Sequence, residues 1–214
     1  MCTTLIGLGC IARIGKDYAA AELARHWDSE RIAFADELKK DLADVMKNCG
    51  FDYFELEKDP FNKDKLRPLL VSYGQTMREF DQDIWVKRAF ADRPLTHKLT
   101  IVTDVRFPNE VEFIKKAGGV YIDIQANVMP ANVIEAEYRG KMAKLADYKV
   151  QNDFNSKFIT DLVSLVDDLI EGSKQVKEDI LWKTQSNKSN PMFSTGELTS
   201  SFMLGQNLSF QRLS

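Results

Sequence analysis

Short apolar runs alternate along the chain with longer segments of helical periodicity. The apolar runs predict buried strands at positions 3–8, 31–35, 99–105, 120–124 and 148–150. Segments with an apolar residue at every third or fourth position predict helices at 18–24, 37–47, 110–117 and 156–171, two joined helices within 64–91, and a mixed helical stretch at 130–146. Strands that alternate with helices indicate an α/β fold around a parallel, doubly wound sheet.

Two segments lack this periodicity. Residues 51–63 are acidic and aromatic and include Pro60, which predicts an irregular connection. Residues 173–214 are rich in serine, asparagine, glutamine, lysine and threonine, which predicts a polar tail that is partly disordered or loosely docked. We therefore expect one folded domain over residues 1–172.

Charge and cysteine content narrow the classes of function. The 214-residue chain has 29 basic and 32 acidic residues and a net charge of −3, which argues against duplex nucleic acid as a partner. Its three cysteines are too few and too scattered for a disulfide framework or a zinc site, and we expect buried thiols. There is no signal-peptide pattern and no apolar run of roughly 18 residues that would span a bilayer, so we expect a cytoplasmic protein without membrane contact.

A glycine-containing loop follows the first predicted strand. Residues 9–17 read Gly-Cys-Ile-Ala-Arg-Ile-Gly-Lys-Asp and match the phosphate-binding pattern GxxxxGK[ST], except that Cys10 replaces the first glycine and Asp17 the hydroxyl residue. In such a loop, backbone N–H groups and the start of the next helix converge on phosphate, and Lys16 adds positive charge. From this segment alone, an ordinary glycine turn followed by a surface lysine is as good an interpretation as a phosphate-binding loop.

Polar residues follow several of the predicted strands. Because ligands of open parallel sheets bind at the carboxyl ends of the strands, these residues should converge on one crevice. They are Lys16, Asp36, Asp104 and Arg106. Arg13 and Lys16 can supply the positive charge that phosphoryl transfer needs. Asp17 and Asp104 can hold Mg²⁺ through oxygen, although stabilisation of the helix dipole is an alternative role for Asp17.

Arginine and aromatic side chains are frequent between the second and third predicted strands. A guanidinium group binds phosphate in a bidentate manner, so one or two of these arginines are candidates for an acceptor phosphate, and surface ion pairs are the alternative. The four are Arg67, Arg78, Arg88 and Arg93. Tyr73 and Trp85 can stack on a base, although packing in the core is the commoner role at helical spacing.

One segment is more distinctive than the loop. Residues 102–110, Val-Thr-Asp-Val-Arg-Phe-Pro-Asn-Glu, resemble the DVRFxNE segment of the deoxynucleoside monophosphate kinases of tailed bacteriophages, whose phosphate loop is of the GKD type. Other segments agree with that family in the same order: 32–36 with Lys39, 67–78, 83–86 and 152–153. The resemblance covers about residues 5–170 and leaves the polar tail unexplained.

This resemblance implies a P-loop kinase fold with a sheet of about five strands, a helical acceptor-binding region at about 51–95 and a lid at about 127–146. It implies transfer of the γ-phosphoryl group of ATP to a deoxynucleoside monophosphate with Mg²⁺, in the host cytoplasm if a phage encodes the protein. By position, the implied catalytic residues are Arg13, Lys16, Asp17 and Arg106, and the ATP-binding loop is Ala12, Arg13, Ile14, Gly15, Lys16, Asp17 and Tyr18. The implied acceptor-binding residues are Asp36, Lys39, Arg67, Gln75, Arg78, Trp85, Asp104, Arg106, Asn109, Glu110 and Arg139, with Asp17 and Asp104 as Mg²⁺ ligands.

The sequence also departs from that family. Cys10 replaces the first glycine, and Tyr18 replaces a small hydroxyl residue. The lid lacks a histidine-serine-glutamate run, so its candidate mobile cations are Arg139, Lys141 and Lys144. Two alternatives follow: a degenerate member that binds nucleotide or a protein partner without catalysis, and a P-loop kinase for another small acceptor. The oligomeric state stays open, with a homodimer as the candidate assembly.

Overall fold

Five parallel strands form the central sheet. The computed structural model describes residues 3–9, 11–91, 93–130 and 133–188, with the backbone alone for 173–188. The strands are β1 (Thr4–Gly9), β2 (Ser29–Ile32), β3 (Leu99–Val105), β4 (Val120–Gln125) and β5 (Tyr148–Gln151). Their order in the sheet is β2-β3-β1-β4-β5, and every neighbouring pair is parallel. The predicted α/β fold with a parallel sheet is confirmed.

Helices connect the strands and cover the sheet. Within the described residues they are α1 (Lys16–His26), α2 (Phe34–Asn48), α3 (Tyr53–Lys58), α4 (Pro60–Phe80), α5 (Ile84–Phe90), α6 (Pro108–Lys116), α7 (Val133–Leu145) and α8 (Ser156–Lys188). Four of them, α2 to α5, form one block between β2 and β3, where the sequence predicts the acceptor-binding region. None of the helices in this described part of the chain is long and apolar enough to cross a membrane.

The centre of the core is β1, which lies between β3 and β4. All six of its residues are buried, and Ile6 and Leu8 are fully enclosed. Its neighbour β3 is apolar and buried over most of its length, as expected for a strand covered on both faces. The loops at the carboxyl ends of β1 and β3 therefore start from the buried centre of the sheet.

The end of β1 packs very closely against its neighbours at Gly9. A Cβ atom on this residue would lie 2.3 Å from the hydroxyl oxygen of Tyr121 and 2.7 Å from the carbonyl oxygen of Val105. The glycine therefore permits a close approach of backbones directly before the phosphate-binding pattern. Cys10, which takes the first-glycine position of that pattern, lies outside the described residues.

We expect Gly9→Ala to destabilise the protein by about 1–3 kcal/mol, because the new methyl group overlaps a backbone oxygen that cannot move without shifting β3. A lower Tm in a thermal melt would show this. Gly140→Ala, in α7, is the matched control, since its Cβ would have no neighbour within 4 Å and alanine favours a helix. Equal Tm values for the wild type and Gly9→Ala would contradict the packing argument.

The second predicted strand is displaced in the structure. We predicted a strand at 31–35 and a helix from Glu37 capped by Asp36, whereas β2 ends at Ile32 and α2 begins at Phe34. The reason is a contact from another strand: the carboxylate of Asp104 accepts hydrogen bonds from the backbone N–H groups of Phe34 and Ala35, each at 2.8 Å. This side chain takes the place of a local cap and starts the helix earlier.

The prediction of an irregular connection at 51–63 is wrong. This segment forms α3 and the first turn of α4, each started by an aspartate whose side chain accepts a backbone hydrogen bond. Asp52 accepts from the N–H of Glu55 at 3.1 Å, and Asp59 accepts from the N–H of Asn62 at 3.0 Å. Pro60 stands in the first turn of α4, where its missing N–H is not needed. Each capping aspartate stands in the sequence three residues before the N–H group from which it accepts.

Two helix ends also differ from expectation. The last helix was predicted to stop at 171 because Gly172 follows, but α8 continues to Lys188. Gly172 does not take the left-handed conformation that would end the helix, and residues 189–214 of the predicted tail lie outside the described residues. At the end of α2, Cys49 is exposed, so the expectation of a buried thiol is wrong for this residue.

Candidate functional site

A cleft of about 740 Å³ opens at the carboxyl ends of β1 and β3. Its walls are the loop before α1, the start of α2, the inner side of α4 and one side of α7. The predicted site residues that line it are Ala12, Arg13, Gly15, Lys16, Asp17, Tyr18, Asp36, Lys39, Arg67, Gln75, Arg78, Trp85, Asp104, Arg106 and Glu110. Three others, Ile14, Asn109 and Arg139, are not part of its lining.

The phosphate-binding pattern forms a sharp loop ahead of α1. Arg13 and Gly15 both have positive φ angles, 65° and 86°, and Gly15 is the N-cap residue of α1. The side-chain amide of Asn152 donates to the carbonyl of Ile14 at 3.0 Å, and the Ile14 side chain is fully buried in the core. The loop is thus held from below by β5 and the core, with the N-terminus of α1 directed at the cleft.

Lys16 is a buried cation at the start of α1. Its Nζ donates a hydrogen bond to the carbonyl oxygen of Ile11, and the residue is only 8% exposed. Burial, together with the positive charge of Arg106, lowers the pKa of Lys16 from 10.5 to about 8, against the opposing effect of nearby carboxylates. An anion in the cleft would remove part of this destabilisation of the charged lysine.

Asp104 joins β3 to the start of α2, which forms one side of the cleft. Both of its oxygens accept from the first N–H groups of α2, as described above. Burial raises the pKa of this carboxyl, whereas the two hydrogen bonds and Arg106 act in the opposite direction. Asp104 therefore fixes the position of α2 in the structure, and its oxygens are already engaged.

Carboxylates that could hold Mg²⁺ are sparse in this cleft. Within the described residues, no group of three or more histidine, cysteine, aspartate or glutamate side chains has the geometry of a metal site. In phosphate-transfer sites, Mg²⁺ is usually held by one or two carboxylates together with substrate phosphates and water. The side chain of Asp17 fits this mode, because it is 88% exposed and has only a loose contact of 3.9 Å with Arg31.

Glu135, which sequence analysis missed, reaches the same loop from α7. Its side chain accepts a hydrogen bond from the backbone N–H of Ala12 at 3.2 Å and one from Nη1 of Arg106 at 3.0 Å. The residue is only 4% exposed. The sequence reading of this helix considered only its cations, and a lone glutamate in a charged helix carries no motif. Its role depends on where α7 lies in the fold.

Glu110 connects the loop after β3 with α4. One oxygen accepts from the N–H groups of Arg106 and Phe107, at 2.7 and 3.0 Å, and the other accepts from Nη2 of Arg78 at 2.6 Å. Burial raises the pKa of Glu110 to about 7, although Arg78 and the backbone donors favour the ionised form. The carboxylate thus holds Arg78 and the Arg106 backbone in one arrangement.

Arg78 has hydrogen-bonding capacity left over. Its guanidinium lies over the ring of Phe107, 4.1 Å from the ring centre, and its Nε is buried without a hydrogen-bond partner among the described residues. Phe107 in turn meets the ring of Tyr138 on α7 edge to face, with the ring centres 5.2 Å apart. A buried arginine donor with no partner, in the wall of a cleft, is suited to an anionic ligand.

The outer part of the cleft, along α2 and α4, is cationic with an apolar floor. Lys39 pairs with Glu57 at 2.8 Å, and Arg67 is exposed with only a distant contact of 3.9 Å to Asp64. The apolar lining on this side consists of Leu38, Leu70, Val71 and the edge of Trp85. Gln75 lies beside this floor and is a neutral polar residue that can form a hydrogen bond with an uncharged part of a ligand.

Several candidates have structural roles instead. Trp85 is 1% exposed and donates its indole N–H to the carbonyl of Gly74 at 3.2 Å, so only its edge contributes to the cleft. Tyr73 and Arg88 both bond to the carboxylate of Asp41. Arg93 pairs with Glu30 at 3.2 Å. The contacts of these residues therefore agree with core packing and ion pairing, the alternatives to base and phosphate binding.

Two predicted acceptor residues lie away from the cleft. The Asn109 amide donates to the carbonyl of Gln82 at 3.0 Å and to Asp83 at 2.9 Å, and so joins α6 to the start of α5. Arg139 instead lines a second cavity, of about 360 Å³, between the phosphate loop, the end of β4 and α7. The polar lining of that cavity also includes Asp123, Gln125 and Gln151, and Ile11 of the loop forms its inner edge.

The chain is similar to one protein family in sequence and to solved structures in fold. The family model described as phosphomevalonate kinase matches residues 11–119, slightly more than half of the chain. Similar solved structures include shikimate kinase from Bacteroides thetaiotaomicron, with a TM-score of 0.40 and 13% identity over 78% of this chain and 98% of that one. Another is dephospho-CoA kinase from Campylobacter jejuni, with a TM-score of 0.38 and 16% identity over 79% of this chain and 98% of that one. No curated protein matches the sequence.

Proposed function

This chain belongs to the phosphomevalonate kinase family, and from that premise we propose that it is an ATP-dependent kinase whose acceptor is a deoxynucleoside monophosphate. Its α/β fold, with the phosphate loop between β1 and α1, is that of the P-loop kinases. Phosphoryl transfer needs cations around the transferred group and an aligned acceptor rather than covalent chemistry from the protein. The cleft supplies such cations on opposite walls.

One observation carries the proposal: the same cleft contains Lys16 in the phosphate loop and the partly unpaired Arg78 on α4, with Arg106 between the two walls. The loop and the start of α1 suit the phosphates of a donor nucleotide. Arg78 and Arg67 suit a second phosphate, because a guanidinium group binds a phosphate monoester in a bidentate manner. Two phosphate sites facing each other are what a kinase with a phosphorylated acceptor requires.

The donor is proposed to be ATP with Mg²⁺. The second cavity shares Ile11 with the loop and is lined by Arg139, which makes it a suitable place for the donor base. Bound together with ATP, Mg²⁺ would neutralise part of the charge on the phosphates. Asp17 is the carboxylate that can hold the ion directly or through water.

A nucleotide acceptor is supported by the floor of the cleft. A base needs a flat apolar contact and a polar partner for its edge, and Leu38, Val71 and Gln75 provide these next to Arg78. The resemblance of residues 102–110 to the phage deoxynucleoside monophosphate kinases agrees with this choice. The family match favours a second candidate, phosphomevalonate, which also carries a phosphate monoester but has no base.

The test is a panel of acceptors with Mg·ATP and the purified protein. We expect ADP, together with the diphosphate of at least one deoxynucleoside monophosphate. Gln75→Leu should lower kcat/KM for that nucleotide about tenfold, since a lost hydrogen bond to a base edge is worth about 1–2 kcal/mol, while leaving any transfer to phosphomevalonate unchanged.

Other outcomes separate the alternatives. Turnover with phosphomevalonate alone would replace the proposed acceptor by the one in the family's name. Transfer to a different small acceptor would leave a P-loop kinase of other specificity. Binding of ATP without transfer to any acceptor on the panel would favour a degenerate member of the family.

A further inference from the structure

The carboxylate of Glu135 occupies a position that is suited to phosphate. It is buried between the phosphate loop and Arg106, and it accepts from the Ala12 N–H and from the Arg106 guanidinium. A loop N–H and a guanidinium are the two kinds of donor that phosphate oxygens use most often in proteins. A carboxylate is the side-chain group that satisfies the same donors with the same sign of charge.

The residues around the Glu135 carboxylate indicate which phosphate group would bind at its position. Lys16 and the first turn of α1 suit the inner phosphates of a donor nucleotide. Arg106 belongs to the loop after β3, whose backbone is bonded to Glu110, the partner of Arg78 on the acceptor wall. The space between Ala12 and Arg106 therefore lies at the end of the donor site that faces the acceptor, where the transferred group must be.

Glu135 and a phosphate group cannot share these donors. A backbone N–H has one hydrogen, and two anions in one buried space repel each other strongly. Any group that takes over the Ala12 N–H must displace the glutamate carboxylate, which removes the contact that holds α7 to the loop. That helix also brings Ile134 and Tyr138 to the cleft, so its displacement changes the shape of the whole site.

We propose that, in the ligand-free protein, the Glu135 carboxylate occupies the position where the transferred phosphoryl group binds. It therefore competes with the terminal phosphate of ATP and not with ADP. The inference rests on the proposed function, because it takes the cleft to be the donor site of a kinase. In the ligand-free protein the glutamate holds α7 against the loop. Binding of ATP releases this helix, whereas ADP leaves it in place.

The first experiment measures binding without any acceptor. Dissociation constants for ADP and for the non-hydrolysable β,γ-imido analogue of ATP are compared in the wild type and in Glu135→Gln. We expect the variant to bind the ATP analogue about tenfold more tightly, because a neutral amide holds the two donors less strongly than a carboxylate does. Binding of ADP should change less than about twofold. Glu137→Gln is the control: it lies on the same helix, is exposed and pairs with Lys141, and should change neither constant.

A second measurement uses the wild type, so it does not depend on folding of the variant. Hydrogen exchange of backbone amides in residues 133–145 should become faster when the ATP analogue binds and should stay unchanged with ADP. In Glu135→Gln the same amides should exchange faster without nucleotide.

Specific outcomes would overturn the inference. Weaker or unchanged binding of the ATP analogue by Glu135→Gln would show that the glutamate does not compete with it. If Glu135→Gln bound ADP and the ATP analogue more tightly by the same factor, the cause would be a general effect of charge and not competition for the position of the terminal phosphate. Tighter binding of the analogue combined with no transfer to any acceptor would contradict the proposed kinase function alone, and transfer with unchanged binding would contradict this inference alone.

Discussion

Lys16→Met is expected to lower kcat for phosphoryl transfer about a thousandfold, because the variant loses the buried cation nearest to the donor phosphates. Methionine has a similar length and no charge, so the packing of α1 on the core should be kept. The rate is measured as formation of ADP with the preferred acceptor. Lys40→Met, which removes an exposed lysine of α2 that pairs with Glu37, is the matched control and should keep the wild-type rate.

The stability of Lys16→Met separates loss of chemistry from loss of fold. Since burial depresses the pKa of Lys16 from 10.5 to about 8, the charged form is disfavoured in the folded protein. Replacement by an apolar residue should therefore leave Tm at pH 7 unchanged or raise it. Between pH 8 and 10.5 the folded lysine releases its proton before the unfolded one does, so the stability of the wild type should rise relative to the variant as pH increases. A variant that keeps its activity would contradict the proposed role of Lys16.

Glu110→Gln is expected to lower kcat/KM for the acceptor by about 10–100-fold, because it breaks the pair with Arg78. If the amide oxygen keeps the two backbone donors of the loop, the amide N–H₂ faces the Arg78 guanidinium, and two donors cannot bond to each other. Arg78 then loses its fixed position beside the acceptor. Glu112→Gln, an exposed position on the same helix that pairs loosely with Lys116, should have no effect.

The pH dependence of the wild type follows from the same residue. Because the pKa of Glu110 is raised to about 7, kcat/KM should increase as pH rises through about 7, when the glutamate becomes ionised and holds Arg78. The folded pKa lies above the unfolded value of 4.5, so the contribution of Glu110 to stability is greatest below about pH 4.5 and is lost as pH rises through 7. The rising limb of the rate profile should be absent in Glu110→Gln. If the rise of kcat/KM with pH persisted in Glu110→Gln, another titrating group would be its cause.

The strands and the phosphate loop could be predicted because their signals are local. β1 and β3 are continuous apolar runs, as central parallel strands must be, and Gly15 and Lys16 stand at the spacing that a strand-loop-helix turn requires. Placement of Asp104 and Arg106 in the same cleft as Lys16 followed from the rule for the carboxyl ends of strands, and the structure brings these three residues together.

The errors come from contacts that join distant parts of the chain. The start of α2 depends on Asp104, which follows it by about 70 residues, so no local pattern near Phe34 could indicate it. Glu135 could not be identified because its chemistry arises only when α7 lies over the loop. The sequence predicts that the whole segments containing Asn109 and Arg139 line the cleft. In the structure the Asn109 side chain contacts the Gln82 carbonyl, and Arg139 lines the second cavity.

The hydrogen bond from Asn152 to the carbonyl of Ile14 spans 138 residues of sequence. The loop after the first strand is therefore completed by the residue that directly follows β5, the strand at the far edge of the sheet. During synthesis, an N-terminal fragment would carry the whole phosphate-binding pattern without the contact that holds its shape. If the cleft binds nucleotide as proposed, we expect this binding to appear late, once the chain has grown past Asn152.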